Sequence, residues 1–166
     1  MKAETAHNEH PFAPLYNEES RILIVGTFPS VISRQMNFYY GNPQNRFYRV
    51  LAALFHDIVP QSVPDKRQFL LQHRIAVFDV LESCSIRGSA DATIRDAVPN
   101  DFSCIFQTAD IACTFANGRT AHKLYEKYVG PAVYLPSTSP ANASYSLERL
   151  IAAWQVILPY VAAAGA

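Results

Sequence analysis

Apolar positions gather along the chain in four short runs, Arg21–Val25, Ile75–Val80, Ile111–Ala116 and Ala132–Leu135. Each is followed by Gly, Ser, Pro or Asn and then by a helical pattern. Continuous rather than alternating hydrophobicity marks strands buried on both faces. The helical stretches are Asn45–Phe55, Pro64–His73, Ala90–Ala97, Arg119–Val129 and Ser146–Val161. Pro64 suits a first helical turn, and Gly130 with Pro131 suits a helix end. Ser144 or Ser146 can cap the last helix, in which Leu147, Leu150, Ile151, Trp154, Ile157 and Leu158 recur at helical spacing. Strands alternating with helices predict one α/β domain over residues 21–166, a parallel sheet covered on both faces, with ligands bound at the carboxyl ends of the strands. The segments after Val25, Val80, Ala116 and Leu135 should therefore build the site. Residues 1–20, with Pro11, Pro14 and several Glu, read as a partly flexible arm.

Composition narrows the class. The chain has 166 residues, 49% hydrophobic and 17% charged, enough apolar mass for one packed core. Cys84, Cys104 and Cys113 are odd in number and too far apart for a ligand pair, which disfavours a disulfide framework, a zinc ribbon or an iron–sulfur cluster and fits a reducing cytoplasm. No apolar signal stretch opens the chain. Leu150–Ala166 is apolar but short of a membrane span and interrupted by Gln155 and Pro159, so it reads as a terminal packing helix with a frayed end. Neither a metal, a cofactor nor a membrane is expected, and a single domain of this size is most simply a monomer. The zero net charge hides an asymmetry: one Lys against four Glu leaves residues 1–20 at −3, and thirteen basic against ten acidic side chains leave the rest at +3. Any grip on nucleic acid must be local.

The chemistry gathers in three segments. Gly26-Thr27-Phe28-Pro29-Ser30 follows the first strand; Gly26 permits a tight turn, and Pro29 holds Phe28 extended. It matches neither phosphate-loop pattern, GxGxxG or GxxxxGK[ST]. Tyr39-Tyr40-Gly41-Asn42-Pro43-Gln44-Asn45-Arg46-Phe47 comes next. Tyr40 offers a flat face for a base, and Asn42 and Asn45 can read an amide-like base edge or hold a water. The two tyrosines fit an ordinary core pair as well, and Asn45 fits a helix cap. After the fourth strand, Leu135-Pro136-Ser137-Thr138-Ser139-Pro140-Ala141-Asn142 supplies hydroxyls and backbone N–H groups ahead of a helix, an uncharged setting for phosphate oxygens or a plain polar loop. Asn117-Gly118 reaches the same sheet edge. Arg46, Arg119 and Lys123 are phosphate candidates.

These motifs, in this order, resemble the hypoxanthine-DNA (deoxyinosine) glycosylase branch of the uracil-DNA glycosylase superfamily. The resemblance continues through Phe78-Asp79-Val80, Cys84, Gly88–Asp91 and Phe115–Gly118, and spans about residues 20–160. It implies a three-layer α/β/α sandwich around a central four-stranded parallel sheet, and DNA carrying a deaminated base as the partner. The mismatch-specific uracil/thymine glycosylases, similar more distantly, have an Asn at the place of Phe28, where it positions their water. Phe28 cannot do this, so the resemblance moves the catalytic role to Asn45. It makes Tyr40 the stacking platform, assigns base binding to Gly26, Thr27, Phe28, Asn42 and Asn117, and makes Ser137–Asn142, with Arg46 and Arg119, the DNA-contacting set. Tyr48 stands where the relatives commonly have Trp.

Cleaving an N-glycosidic bond passes through a sugar with oxocarbenium character, so a placed water and stabilisation of the departing base suffice. Asn45 should hold the water or the sugar–base edge. Neither motif contains Lys, which points to a monofunctional enzyme that leaves an abasic site. Asp79 fits a structural role at a strand end and Asp91 a helix cap, and each is also a candidate acid. The competing readings are a mismatch-specific uracil/thymine-DNA glycosylase and a non-enzymatic nucleic-acid-binding module with a degenerate site. A serine hydrolase through Ser30 or Ser137 lacks the G-x-S-x-G elbow.

Overall fold

The computed structural model describes residues 5–162. In chain order its strands are β1 (Thr5–Glu9), β2 (Ile22–Gly26), β3 (Ile75–Asp79), β4 (Leu81–Arg87), β5 (Ala90–Pro99), β6 (Cys113–Asn117) and β7 (Val133–Leu135). Its helices are α1 (Val31–Met36), α2 (Phe47–Phe55), α3 (Val63–Gln72), α4 (Ser103–Thr108), α5 (Arg119–Tyr128), α6 (Leu147–Trp154) and α7 (Leu158–Ala162).

The expected central sheet is present, four parallel strands in the order β3-β2-β6-β7. Every residue of β2 and β3 is buried, which is what a continuous apolar run requires when helices cover both faces. Register aligns the strand ends: Gly26 pairs with Asp79, Val25 with Ala116, and Asn117 with Leu135. Three chemistry-bearing residues and the start of the polar loop thus arrive at one edge of the sheet. The three-layer α/β/α arrangement stands as expected.

Helix termini follow their local chemistry. Ser62 caps α3, with Pro64 in its first turn. Ser146, rather than Ser144, caps α6 by accepting from the Arg149 N–H at 3.2 Å. The single helix expected over Ser146–Val161 divides after Trp154 into a 3-10 turn, Gln155–Ile157, and then α7. Pro159 has no N–H to give the Gln155 carbonyl, and the Leu158 N–H bonds it instead. The expected frayed end beyond Ala162 lies outside the described residues.

Two expectations are overturned. Ala90–Ala97 is not a helix but most of β5, in a second, antiparallel sheet of order β1-β4-β5. Gly88 at φ 60° and Ser89 form a two-residue turn between the paired Arg87 and Ala90, the hairpin geometry that glycine favours. Asp91 therefore lies on a strand and caps nothing. Residues 5–20 are also not a loose arm. β1 pairs with β4 along its whole length, and Leu15 exchanges backbone hydrogen bonds with Val77 at 2.9 and 3.0 Å, covering the open edge of β3. Residues 1–4 lie outside the described part.

Candidate active site

The carboxyl ends of the parallel strands open on one cleft of about 630 Å³. Gly26 to Ser30, Asp79, Asn117 and Ser137 to Asn142 line it, joined by Tyr39, Tyr40, Asn42 and Asn45 from the segment before α2 and by Ser89 to Asp91 from the hairpin. Every candidate base-binding residue and the whole 137–142 loop meet there. Arg46 and Arg119 do not line it.

Its centre is a chain of hydrogen bonds whose direction is fixed at both ends. The Phe47 N–H donates to Asn45 Oδ1 at 2.9 Å, and the Thr138 N–H donates to Asn117 Oδ1 at 3.0 Å. Backbone donors admit only the carbonyl side of each amide, so neither side chain can be flipped. Asn117 Nδ2 then donates to Thr138 Oγ1 at 3.0 Å, and that hydroxyl donates to Asn45 Oδ1 at 2.8 Å. Both lone-pair positions of Asn45 Oδ1 are used, and its Nδ2 remains to donate into the cleft. Asn45 thus supports the first turn of α2 and serves the cleft at once. It does not offer its carbonyl to a water.

Thr138 is fully buried and holds two amides, so it positions the site rather than touching phosphate. Thr138→Val keeps the shape and removes the hydroxyl. We expect stability to fall by about 1–3 kcal/mol, because Asn117 Nδ2 and one Asn45 lone pair lose their partner, and turnover to fall about tenfold or more. Urea unfolding and single-turnover assays of the variant read both.

Arg46, expected on phosphate, is turned inward. Its guanidinium donates to the carbonyls of Tyr145, Ser139 (2.9 Å) and Asn142 (3.1 Å), clamping the loop after β7. Asn142 braces the same loop by donating to the Ser137 carbonyl at 3.0 Å, and Trp154 Nε1 fixes its start through the Pro136 carbonyl at 2.9 Å. Arg119 is exposed and lies over the Tyr134 ring. At the other wall, the carbonyls of Gly26 and Thr27 accept from the Val80 and Leu81 N–H groups, which ties the start of this turn to the segment after β3.

Tyr40 adopts φ 54°, a left-handed conformation that costs a bulky residue about 1–2 kcal/mol and marks a constrained position. One ring face stacks on Phe47 with centroids 3.8 Å apart. Burial, with the charge of Asp79 adding to it, pushes the phenol far above its ordinary pKa, and it stays neutral. Asn117 lies close enough to offset part of that shift, yet among the described residues no partner stands in hydrogen-bonding geometry to the hydroxyl.

Asp91 stands at the cleft mouth. The residue as a whole is exposed, yet withdrawal of its carboxyl from water pushes its pKa up to about 6, with the Thr27 side chain opposing the shift and Asp79 reinforcing it. The group is neutral below that pH and anionic above it. DNA affinity should therefore weaken about threefold as pH rises through 6, from one added repulsion near phosphate. Anisotropy titrations at pH 5 and 7.5 should show this step in the wild type and not in Asp91→Asn.

Sequence reasoning missed His10 entirely. It reaches Asp79 across 69 positions, and no local pattern announces such a contact. Among the described residues no group of three His, Cys, Asp or Glu side chains is placed to hold a metal, and no helix is long and apolar enough to cross a membrane.

A cleft at the carboxyl edge of a parallel sheet, walled by a Gly-Thr-Phe-Pro-Ser turn and holding an oriented Asn, fits the family resemblance of the motifs. The chain belongs to the uracil DNA glycosylase superfamily, whose family model matches residues 13–158. It is 34% identical over 144 residues to a hypoxanthine DNA glycosylase of Methanosarcina acetivorans, covering 83% of this chain and 90% of that one. A hypoxanthine DNA glycosylase of Methanosarcina barkeri is 29% identical over 149 residues, 86% of this chain and 93% of that protein. The fold matches a solution NMR structure of a Methanosarcina acetivorans protein, provisionally assigned as a uracil DNA glycosylase, with a TM-score of 0.78 at 30% identity, over 93% of this chain and 98% of that one.

Proposed function

We propose that this chain is a monofunctional DNA-deoxyinosine glycosylase, which takes a deaminated base out of the helix and hydrolyses its N-glycosidic bond. The observation that carries the reading is the Asn45 amide, its carbonyl doubly occupied and its Nδ2 turned to a base-sized cleft. Names borne by relatives at 34% and 29% identity support hypoxanthine as the base.

The flipped base lies against Tyr40, which lines the cleft and is itself stacked on Phe47, and stacking there contributes about 1–3 kcal/mol. Asn45 Nδ2 donates to the base atom on which negative charge collects as the C1′–N9 bond breaks, which lowers the barrier where the charge develops. A water on the far face of the sugar forms the new C1′–O bond and releases its proton to the medium, and the departing base takes up a proton. Phe28, buried beside the Gly26 turn, offers no group to that water, so Asn45 acts on the leaving group. Among the described residues no lysine lines the cleft to supply an amine for a Schiff base, and the strand stays intact at an abasic site. Ser137, Ser139 and the backbone of Pro140–Asn142 face the phosphates, while Thr138 and Arg46 hold that loop in place. In this reading the enzyme acts as a monomer in the reducing cytoplasm.

The test is a panel of duplexes carrying deoxyinosine, deoxyuridine, deoxyxanthosine or a G·T mismatch, scored for alkali-labile sites. Deoxyinosine should be processed, and strand scission should require the alkali. Release of uracil alone would give the function to the mismatch-type reading, and no release from any duplex would leave only a binding module.

A further inference from the structure

The hydrolysis described above has a water and no protein group to take its proton. Asn45 Oδ1 is occupied twice, the Phe28 side chain is a hydrocarbon, and neutral hydroxyls and amides are not bases. Among the described residues lining the cleft, two carboxylates can accept a proton near neutral pH, Asp79 and Asp91. They stand at different depths. Asp79 ends β3 with its side chain 6% exposed, and its Oδ2 accepts from His10 Nε2 at 2.8 Å. Asp91 belongs to the β4–β5 hairpin at the mouth.

The hairpin is shaped to carry Asp91 there. Between the pairs Ser85–Arg95 and Arg87–Ala90, Ile86 alone stands opposite four residues of β5, Asp91 to Ile94. A bulge of this kind bends its strand and re-aims the side chains, and bulges gather beside active sites. Thr93 closes this one: its hydroxyl accepts from the Arg87 N–H at 2.8 Å and donates to the Ala90 carbonyl at 2.6 Å. The turn is also fastened to α1, the helix that directly follows the Gly26–Ser30 turn. Ser89 Oγ accepts from the Val31 N–H at 3.0 Å, and Arg34 donates to the Gly88 carbonyl at 2.7 Å. Thr27, from the wall that also carries Phe28, lies near enough to favour the Asp91 anion.

A base seated in the cleft leaves its sugar one bond nearer the duplex, at the mouth. We propose that Asp91 is the general base of the reaction, orienting the attacking water and taking its proton as the C1′–O bond forms. The inference rests on the glycosylase reading above. The electron pair of C1′–N9 leaves with the base, and the water's proton passes to an Asp91 oxygen and on to the solvent, which regenerates the carboxylate. Only the anion can act, and withdrawal from water, with Asp79 on β3 adding to it, delays the anion until about pH 6. The other titratable groups on the surrounding elements are Cys84 on β4, a buried thiol whose pKa the Asp91 charge raises, Arg34 on α1, engaged with Gly88, and the neutral phenols of Tyr39 and Tyr40.

The experiment is single-turnover release from a deoxyinosine duplex at saturating enzyme, where pH-dependent affinity no longer enters. The wild-type rate should rise about tenfold from pH 5 to 7.5, following the Asp91 anion. Asp91→Asn should lose about 100-fold at pH 7.5, show no such rise, and bind the duplex no more weakly than the wild type. Asp91→Ala should be as slow and should recover about tenfold or more in formate, but not in chloride at the same ionic strength. Rescue is read on one preparation, so the folded fraction cancels. A flat wild-type profile, an Asp91→Asn rate within threefold of the wild type, or an Asp91→Ala enzyme that formate leaves as slow as chloride does overturns the inference. A wild-type enzyme that releases no base at any pH overturns instead the glycosylase reading, and does so without any variant.

Discussion

Asn45→Asp should bind a deoxyinosine duplex with affinity near that of the wild type and release hypoxanthine about 1,000-fold more slowly, the upper range for losing one donor aimed at developing charge. The substitution is nearly isosteric. It keeps the two hydrogen bonds that Asn45 Oδ1 accepts from Phe47 and Thr138, so α2 and the loop after β7 stay in place. Only the cleft-facing atom changes, from an NH₂ that stabilises an anionic leaving group to an oxygen that repels it. Asn45→Ala should lose a similar factor in rate and in addition about 1 kcal/mol of stability, because Thr138 and Phe47 then lack their acceptor. Single-turnover kinetics with anisotropy on the same duplex separate the two effects. An Asn45→Asp enzyme within tenfold of the wild type would mean that the amide donor is not what lowers the barrier.

Gly26→Ala should cost the protein both stability and activity. The added carbon meets Asp79 Oδ1 directly and stands 3.2 Å from the Tyr40 hydroxyl. Neither neighbour can retreat freely: Asp79 is held by His10, and Tyr40 is stacked on Phe47. Overpacking of this kind costs about 1–3 kcal/mol, a fall in melting temperature of about 5 °C for a domain of this size. The displaced carboxylate and ring should take at least about 100-fold from the rate of release. Gly130→Ala, with no atom of the described residues within 4 Å of the added carbon, is the matching control and should change neither quantity. A fully active Gly26→Ala enzyme would show that Asp79 and Tyr40 are not fixed as described.

The central sheet was legible because its strands are unbroken apolar runs; Ile22–Gly26 and Ile75–Asp79 have no other plausible home than between two layers of helices. The antiparallel sheet was not, because β5 carries exposed and half-buried residues in a mixed order, with irregular pairing to β4, and shows neither a clean alternation nor an apolar run. Its one local signal was the Gly88-Ser89 pair, a two-residue hairpin turn of the kind that Gly permits. At the site, residue type and order were enough to place Asn45, Tyr40, Asn117 and the 137–142 loop in one cleft. They could not show which side of the Asn45 amide faces the ligand, since that depends on a Thr138 hydroxyl 93 positions away. Nor could they show that Arg46 spends its guanidinium on loop carbonyls, or that His10 leaves the amino-terminal segment to hold Asp79. Such contacts are set by tertiary packing and leave no periodic trace.

The most direct measurement is the mass of a single deoxyinosine-containing strand, annealed to its complement, after incubation with the enzyme and without alkali. Hydrolysis by this site predicts a strand lighter by hypoxanthine and heavier by one water, full in length, formed by the wild type and not by Asn45→Asp. An unchanged mass, a strand cut at the lesion, or the same product from Asn45→Asp would contradict it.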